Sequence, residues 1–149
     1  MVQDIFYKGI KLENITGMCG DVVSSEDWLS ISQRNYPLYR VLTQTDTDGK
    51  CYATTLAISK YISGCKLVYG AIEKEDGNKT AHVILKKENW VYDTNMKHHF
   101  KYQEYIESFG FDIYCETEPP KEKFKEFLQK IFDGGFAKWC EERNVEFTP

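Results

Sequence analysis

The feature that most constrains the fold is the junction at residues 49–51, where Gly-Lys-Cys leads directly into an apolar run. The run from Tyr52 to Ser63 is apolar nearly all round a helical projection, which predicts a central helix rather than a peripheral one. Cys51 would open this helix. A helix N-terminus carries positive partial charge and free backbone N–H groups, and both stabilise an anion. The junction therefore predicts a thiol placed for nucleophilic chemistry beside donors for an oxyanion.

The composition is that of an ordinary globular protein, and we predict one domain over residues 1–149. The chain is 42% hydrophobic and 28% charged, with a net charge of −4, so no basic surface for nucleic acid is expected. No apolar run approaches the ~20 residues of a membrane span, and the first ten residues lack the apolar segment of a signal peptide. Five cysteines without a C-x-x-C pair favour free thiols in a reducing compartment. We therefore expect a cytoplasmic protein that binds neither nucleic acid nor a membrane.

The other elements follow from capping and turn signals along the chain. Ser24–Asp27 predicts a helix start, because hydroxyls suit the cap position and acids suit the first turn; Pro37 predicts its end. Leu38–Gln44 is interpreted as an apolar extended segment, and Gly64 as the residue that closes the Cys51 helix. Further predictions are a strand or irregular arm at 5–15, strands at 66–72, 81–86, 90–93 and 111–116, helices at 101–109 and 121–132, and polar loops at 45–49, 73–80 and 95–99. This order predicts an α+β fold.

Two of the predicted strands bring a histidine and an aspartate together. They are joined by residues 86–89, and a loop centred between Lys87 and Glu88 pairs residues whose numbers sum to 175. His82 would then face Asp93, with Cβ atoms roughly 4.5–5.5 Å apart. At that distance a carboxylate can bond an imidazole, fix its tautomer and stabilise its charged form. Because Lys-Glu lacks the Gly or Asn that a two-residue turn prefers, we favour a four-residue loop.

These segments resemble the core of the transglutaminase-like superfamily, a group within the papain-like cysteine enzymes. The resemblance rests on Gly49-Lys50-Cys51, on GCKLVYG at 64–70, on His82-Val83 and on WVYDT at 90–94, within a region of about residues 44–95. It implies a papain-like core, in which the helix opened by the Cys packs on an antiparallel sheet. It also implies that Cys51 is the nucleophile, His82 the base and Asp93 the group that orients the base.

Each of these residues also has a simpler interpretation. Cys51 can be a small core residue, His82 a hydrogen-bonded strand histidine, and Asp93 part of a strand-end turn. Gln44 precedes Cys51 by seven residues and is a candidate to complete an oxyanion hole, as an upstream Gln often does in papain-like enzymes; the alternative is a polar strand residue. The other four cysteines are expected to be structural or spare thiols. Neither they nor His98-His99 show the spacing of zinc ligands.

The sequence thus predicts a cysteine-dependent hydrolase or acyltransferase that acts on an acyl group of a peptide or protein substrate. Cys51 would form an acyl-thioester, which is released to water by a peptidase, amidase or deamidase, or to an amine by a transglutaminase-like enzyme. Hydrolysis is favoured because water is the default acceptor. The chemistry needs no metal or organic cofactor. The alternative is a non-catalytic binding protein that uses the groove of a papain-like fold, and the oligomeric state is left open.

Overall fold

The computed structural model describes residues 5–7, 10–12, 22–44, 51–96, 98–121, 123, 126, 129–130 and 135–147. These residues form an α+β structure around a five-stranded antiparallel sheet. In chain order the elements are β1 (Ile5–Tyr7), β2 (Ile10–Leu12), α1 (Ser25–Arg34), α2 (Tyr36–Gln44), α3 (Cys51–Ser59), β3 (Lys66–Glu73), β4 (Lys79–Lys87), β5 (Trp90–Asp93), β6 (His98–Lys101), α4 (Tyr102–Phe109), β7 (Asp112–Thr117) and α5 (Phe136–Glu142). β1 and β2 pair with each other as a two-stranded sheet.

The main sheet has the strand order β6-β5-β4-β3-β7, and each neighbouring pair is antiparallel. β3 and β4 form the long central hairpin. Its turn lies within the predicted polar loop at 73–80, and the Asn78 N–H donates to Oδ1 of Asp76 at 2.9 Å there. Gly77 supplies the positive φ of +87° that this turn requires. The predicted strands at 66–72, 81–86, 90–93 and 111–116 are all confirmed, with small shifts at their ends.

Both faces of the sheet are buried, and strand alternation divides the core into two clusters. Leu67, Tyr69, Val83, Leu85 and Tyr92 point to the face covered by α1, α2, α3 and α5. The alternate residues, Val68, Ile84 and Val91 among them, pack under Tyr105 and Phe109 of α4 on the opposite face. Neighbouring side chains along one strand therefore meet different partners on the two faces of the sheet.

The helix predicted at Ser24–Asp27 is confirmed, but Leu38–Gln44 is not extended. Ser24 caps α1 through a capping box, with its hydroxyl accepting from the Asp27 N–H at 3.1 Å. After α1 the chain starts a second helix, α2, over the segment interpreted as a strand. Asn35 makes this possible, because its Oδ1 accepts the Leu38 N–H at 3.2 Å. Pro37 then sits in the first turn of α2, where its missing N–H costs nothing.

The Cys51 helix is confirmed but shorter than predicted. α3 ends at Ser59, and the chain continues through turns to Gly64, which has a positive φ of +74°. Gly64 is therefore a turn residue five positions beyond the helix, so its predicted role at the helix terminus is wrong. α3 packs against β4 and β3 and contacts α2. Within the described part of the chain, no helix combines the length and apolar character needed to cross a bilayer.

One further prediction is wrong, one is confirmed, and others lie wholly or partly outside the described residues. His98-His99 is not loop, because both residues belong to the edge strand β6. The helix predicted to end at Gly110 is confirmed as α4, with Gly110 in the left-handed conformation. Residues 13–20 and the predicted loop at 45–49 are not described. Of the helix predicted at 121–132, residues 126 and 129–130 are helical and most of the rest is not described.

Gly70 is the one strand glycine whose lack of a side chain matters for the site. It is the direct partner of His82 in the β3–β4 ladder. On its other side the β3–β7 register shifts between Tyr69 and Gly70, which brings the Asp112 carbonyl against the Gly70 Cα. A Cβ at this position would collide with that carbonyl oxygen. The glycine therefore permits the irregular β7 pairing next to His82.

Candidate active site

His82 and Asp93 are bonded, although the predicted strand register is wrong by two residues. β4 and β5 pair with residue numbers that sum to 177, as in Leu85 opposite Tyr92, around a two-residue turn at Glu88-Asn89. Glu88 adopts a φ of +56°, so it fills the position where such turns usually have glycine. A slip of two residues keeps every side chain on its face. His82 and Asp93 are therefore diagonal rather than direct partners, and Nε2 of His82 still lies 2.9 Å from Oδ2 of Asp93.

The Asp93 carboxylate is fully buried, and hydrogen bonds reach both of its oxygens. Oδ2 takes the His82 bond and a second bond from the Tyr105 hydroxyl at 2.6 Å. Oδ1 accepts the backbone N–H groups of Asn95 and Met96 at 2.8 and 3.0 Å. Hydrogen bonds to an ionised acceptor are shorter and stronger than neutral ones. The carboxylate is thus held in one orientation by a strand, a turn and a helix.

The electrostatics of this buried pair favour its charged form. Burial by itself lowers the pKa of His82, but the Asp93 charge, Cys51 and the hydrogen bonds to both outweigh it and raise that pKa well above 6.5. Burial by itself raises the pKa of Asp93, but the His82 charge and the bonds from His82, Tyr105 and Met96 lower it below 3.8. An imidazolium beside a carboxylate is the state that these contacts stabilise.

Cys51 is the first residue of α3 and lies in the core cluster on the opposite face from Tyr105. Cys51 is nevertheless one of the groups that raise the pKa of His82, which places its thiol near the imidazole. Nε2 of His82 is bonded to Asp93, so Nδ1 is the ring nitrogen that the carboxylate does not engage. The imidazole therefore interacts with both the carboxylate and the thiol.

The β4 ladder is interrupted beside His82. β5 pairs with β4 from Leu85 onward, and Thr80 forms a parallel bridge to Glu146 on the same edge of β4. In the described part of the chain, residues 82–84 have no strand partner along this edge. α3 packs against β4, the strand that carries His82. Phe147, next to the bridging residue, packs on Tyr52 with ring centroids 5.8 Å apart.

A hydroxyl pair also joins α3 to the chain beyond β5. Oγ1 of Thr55 lies 3.2 Å from Oγ1 of Thr94, and both residues are completely buried. Thr55 follows Cys51 by four residues, and Thr94 follows Asp93 directly. The bond connects the helix of the thiol with the segment of the carboxylate.

The structure brings three of the four predicted site residues together. Cys51, His82 and Asp93 form one contact chain, whereas Gln44 is described only through its backbone, as the last residue of α2. Gln44 is therefore in a helix rather than a strand, and its predicted part in an oxyanion hole stays a prediction. His98 is the direct ladder partner of Asp93, but the hydrogen bond from a histidine to Asp93 that the structure describes comes from His82.

Two hydrogen bonds were not predicted from the sequence: that of Tyr105 to Asp93 and that of Thr55 to Thr94. The apolar spacing of Tyr102, Tyr105, Ile106 and Phe109 predicts a buried helix face, but does not indicate which buried hydroxyl would meet a carboxylate. Thr55 lies on a helix that is apolar nearly all round. A buried threonine in such a helix is a weak signal for a long-range hydrogen bond, because its hydroxyl can instead bond within its own helix.

The other described cysteines lie in different surroundings from Cys51. Burial raises the pKa of Cys65 and of Cys140 to about 11, and also raises that of Cys115. Raised thiol pKa values make these cysteines poor nucleophiles near neutral pH. In the described ranges, no group of three or more His, Cys, Asp or Glu side chains is placed to hold a metal ion.

Comparison of the chain with protein-family models, with curated proteins and with solved structures gave no match.

Proposed function

We propose that this protein is a cysteine-dependent acyl hydrolase or acyltransferase, with Cys51 as nucleophile, His82 as general acid–base and Asp93 as the group that orients His82. We further propose that α3 and the antiparallel sheet form a papain-like core of the transglutaminase-like type. The observation that carries the proposal is the position of the His82 imidazole, bonded through Nε2 to a buried carboxylate and in contact with Cys51. Nucleophile, base and orienting group in one contact chain is the arrangement on which thiol catalysis depends.

The first half of the reaction forms the acyl-enzyme. The Cys51 sulfur attacks the substrate carbonyl carbon, a C–S bond forms, and the carbonyl electron pair moves to the oxygen. When the tetrahedral intermediate collapses, the bond to the leaving group breaks and the leaving group takes the proton from the His82 imidazolium. The products are an acyl-thioester on Cys51, a free amine and a neutral imidazole.

The second half returns the enzyme to its starting state. His82 accepts a proton from water, or from an acceptor amine, as its oxygen or nitrogen attacks the thioester carbon. The C–S bond breaks, the acyl group leaves as an acid or an amide, and the thiolate–imidazolium pair is restored. Asp93 stays ionised throughout and stabilises the imidazolium.

The position of Cys51 at the start of α3 also provides for the oxyanion. The first N–H groups of a helix have no acceptor within the helix, and they carry the positive end of its dipole. These groups can hold the negative oxygen of the tetrahedral intermediate. Gln44 remains the proposed second donor.

The experiment that tests the proposal is labelling with an electrophilic acyl-peptide probe, read by intact mass and by peptide mapping. We expect one adduct per chain, on Cys51, formed far faster than on the other four cysteines. The adduct should be absent in Cys51→Ala and slowed in His82→Gln, whereas Cys115→Ala, the matched control, should label like the wild type. Equal labelling of all the cysteines, or an unchanged rate in His82→Gln, would instead favour a binding protein that uses the same groove.

A further inference from the structure

The Thr55–Thr94 hydroxyl pair joins the two halves of the candidate active site. Thr55 lies about one helical turn after Cys51, so both residues are on the same face of α3. Thr94 follows Asp93 and has no exposed surface. Their Oγ1 atoms are 3.2 Å apart, and 39 residues separate them along the chain. A movement of α3 relative to β5 would therefore change this distance and the distance from Cys51 to His82 together.

We propose that Thr55 and Thr94 are positioning residues that set Cys51 against His82; this inference rests on the proposed roles of Cys51 and His82. Apolar packing holds α3 on the sheet, but packing is non-directional and leaves the helix free to rotate or slide slightly. A hydrogen bond has a narrow range of distance and angle. Placed one turn from the thiol, it fixes the rotation of α3 at the point where a small displacement matters. A misplacement of about 1 Å can reduce a rate by about 10².

The choice of partner supports this role. A threonine inside a helix usually bonds the carbonyl three or four residues earlier, which for Thr55 would be at Cys51 or Tyr52. In the structure the Thr55 hydroxyl is instead bonded to Thr94, across the gap between two elements. A pair that only needed to satisfy buried hydroxyls could do so locally.

The test uses isosteric variants that remove the hydroxyl and keep the shape. Thr55→Val and Thr94→Val each delete one side of the bond, Thr55→Ser restores the hydroxyl without the methyl group, and Thr54→Val is the matched control on the same helix. Thr54 is buried like Thr55, one residue away. Circular dichroism first verifies that each variant is folded at the assay temperature.

The main readout is the NMR titration of His82 with and without the Cys51 sulfur. In the wild type, Cys51→Ala should lower the pKa of His82, because it removes one of the groups that raise it. If the hydroxyl pair positions Cys51, Cys51→Ala should lower the pKa of His82 much less in the Thr55→Val or Thr94→Val background than in the wild type. The effect of Asp93→Asn on His82 should stay the same in all these variants. A change of stability alone would not produce this selective result.

The second readout is the rate of Cys51 alkylation by iodoacetamide. We expect a loss of about tenfold in either valine variant, no further loss in the double variant, and recovery in Thr55→Ser. Thr54→Val should react like the wild type. If Cys51→Ala lowers the His82 pKa equally in the wild type and in both valine variants, the positioning proposal is wrong while the proposed function stands. If Cys51→Ala leaves His82 unchanged in the wild type, the thiol and the imidazole do not meet, and both proposals fail.

Discussion

The two halves of the candidate active site are held in different ways. His82 and Asp93 lie on the sheet. The buried Asp93 carboxylate is hydrogen-bonded to the His82 imidazole of β4, to the Tyr105 hydroxyl of α4 and to two backbone N–H groups. Cys51 lies on α3, which is held by apolar packing and by the Thr55 hydroxyl. The half proposed for acid–base chemistry should therefore contribute to the stability of the fold, whereas the fold should tolerate the loss of the proposed nucleophile. Changes in the first half should cost stability and activity together, and changes in the second should cost mainly activity.

The largest effect on activity should come from the nucleophile. Cys51→Ala removes one sulfur at a helix start, so turnover should be abolished while the free energy of unfolding changes by only about 1 kcal/mol. Cys51→Ser should also be nearly inactive, because a hydroxyl is much harder to ionise. Steady-state rates and urea unfolding measure the two effects separately. Retained turnover in purified Cys51→Ala would rule out the mechanism.

The largest effect on stability should come from Asp93. Asp93→Ala leaves a buried imidazolium without its counter-charge and three donors without an acceptor, which should cost about 3–5 kcal/mol. Asp93→Asn keeps the shape but loses the charge. In a serine protease triad this change costs about 10⁴ in kcat, and a thiolate depends less on its base, so we expect a loss of about 10²–10³.

The matched control for Asp93 is Asp112, whose side chain is half exposed and pairs with Lys79. Asp112→Ala should cost less than about 1 kcal/mol, as exposed ion pairs usually do. If Asp93→Ala unfolds no more easily than Asp112→Ala, the hydrogen bonds to the buried carboxylate do not stabilise the fold, and the contrast between the two halves disappears.

A smaller effect is expected from Tyr105, on the stability of the protein and on the pKa of Asp93. Tyr105→Phe deletes one charge-assisted bond to Asp93 and keeps the ring packing, so it should cost about 1.5 kcal/mol of stability. It should also raise the pKa of Asp93, because one of the groups that lower it is gone. Tyr102→Phe, at a half-buried position about one turn earlier on the same helix, should change neither value. Equal results for the two variants would mean that the Tyr105 bond does not act on the carboxylate.

The pH dependence of stability should reflect the His82–Asp93 pair. The raised pKa of His82 means that its contribution is fully present below its ordinary value of 6.5 and is lost as pH rises through the folded value. The lowered pKa of Asp93 means that its contribution is present above 3.8 and is lost as pH falls through the folded value. The stability advantage of the wild type over His82→Gln should therefore be greatest between these ordinary values and shrink in alkali. An advantage that grows with pH would contradict this sign.

The sequence predicted the sheet and its pairing better than the surrounding connections. Alternation placed His82 and Asp93 on one face, and that result survived a register error of two residues because only an odd slip exchanges faces. The observed register requires a positive φ at Glu88, and this conformation is uncommon for a residue other than glycine. The wrong prediction of an extended segment at α2 has a similar cause. A proline can follow the end of one helix or stand in the first turn of the next, and the Asn35 cap favours the second alternative here.

The placement of the proposed catalytic residues was also predictable, but the contacts that support them were not. Cys51, His82 and Asp93 could be chosen from local patterns: a helix start and two strands of one hairpin. Tyr105 and Thr94 act through contacts between elements whose relative placement the sequence does not encode locally. The interruption in the β4 ladder beside His82 depends on where β5 and Glu146 pair, and both are long-range features.

The central claim is that His82 links the Cys51 thiol to the Asp93 carboxylate, and an NMR titration of His82 tests it most directly. The chain has three histidines, so the His82 resonance can be assigned by comparison with His82→Gln. The account predicts a pKa well above 6.5 in the wild type and a lower value in Asp93→Asn, with the pH–rate profile of Cys51 alkylation moving in the same direction. An unperturbed His82 pKa in the wild type, together with the same titration and alkylation profile in Asp93→Asn, would contradict it.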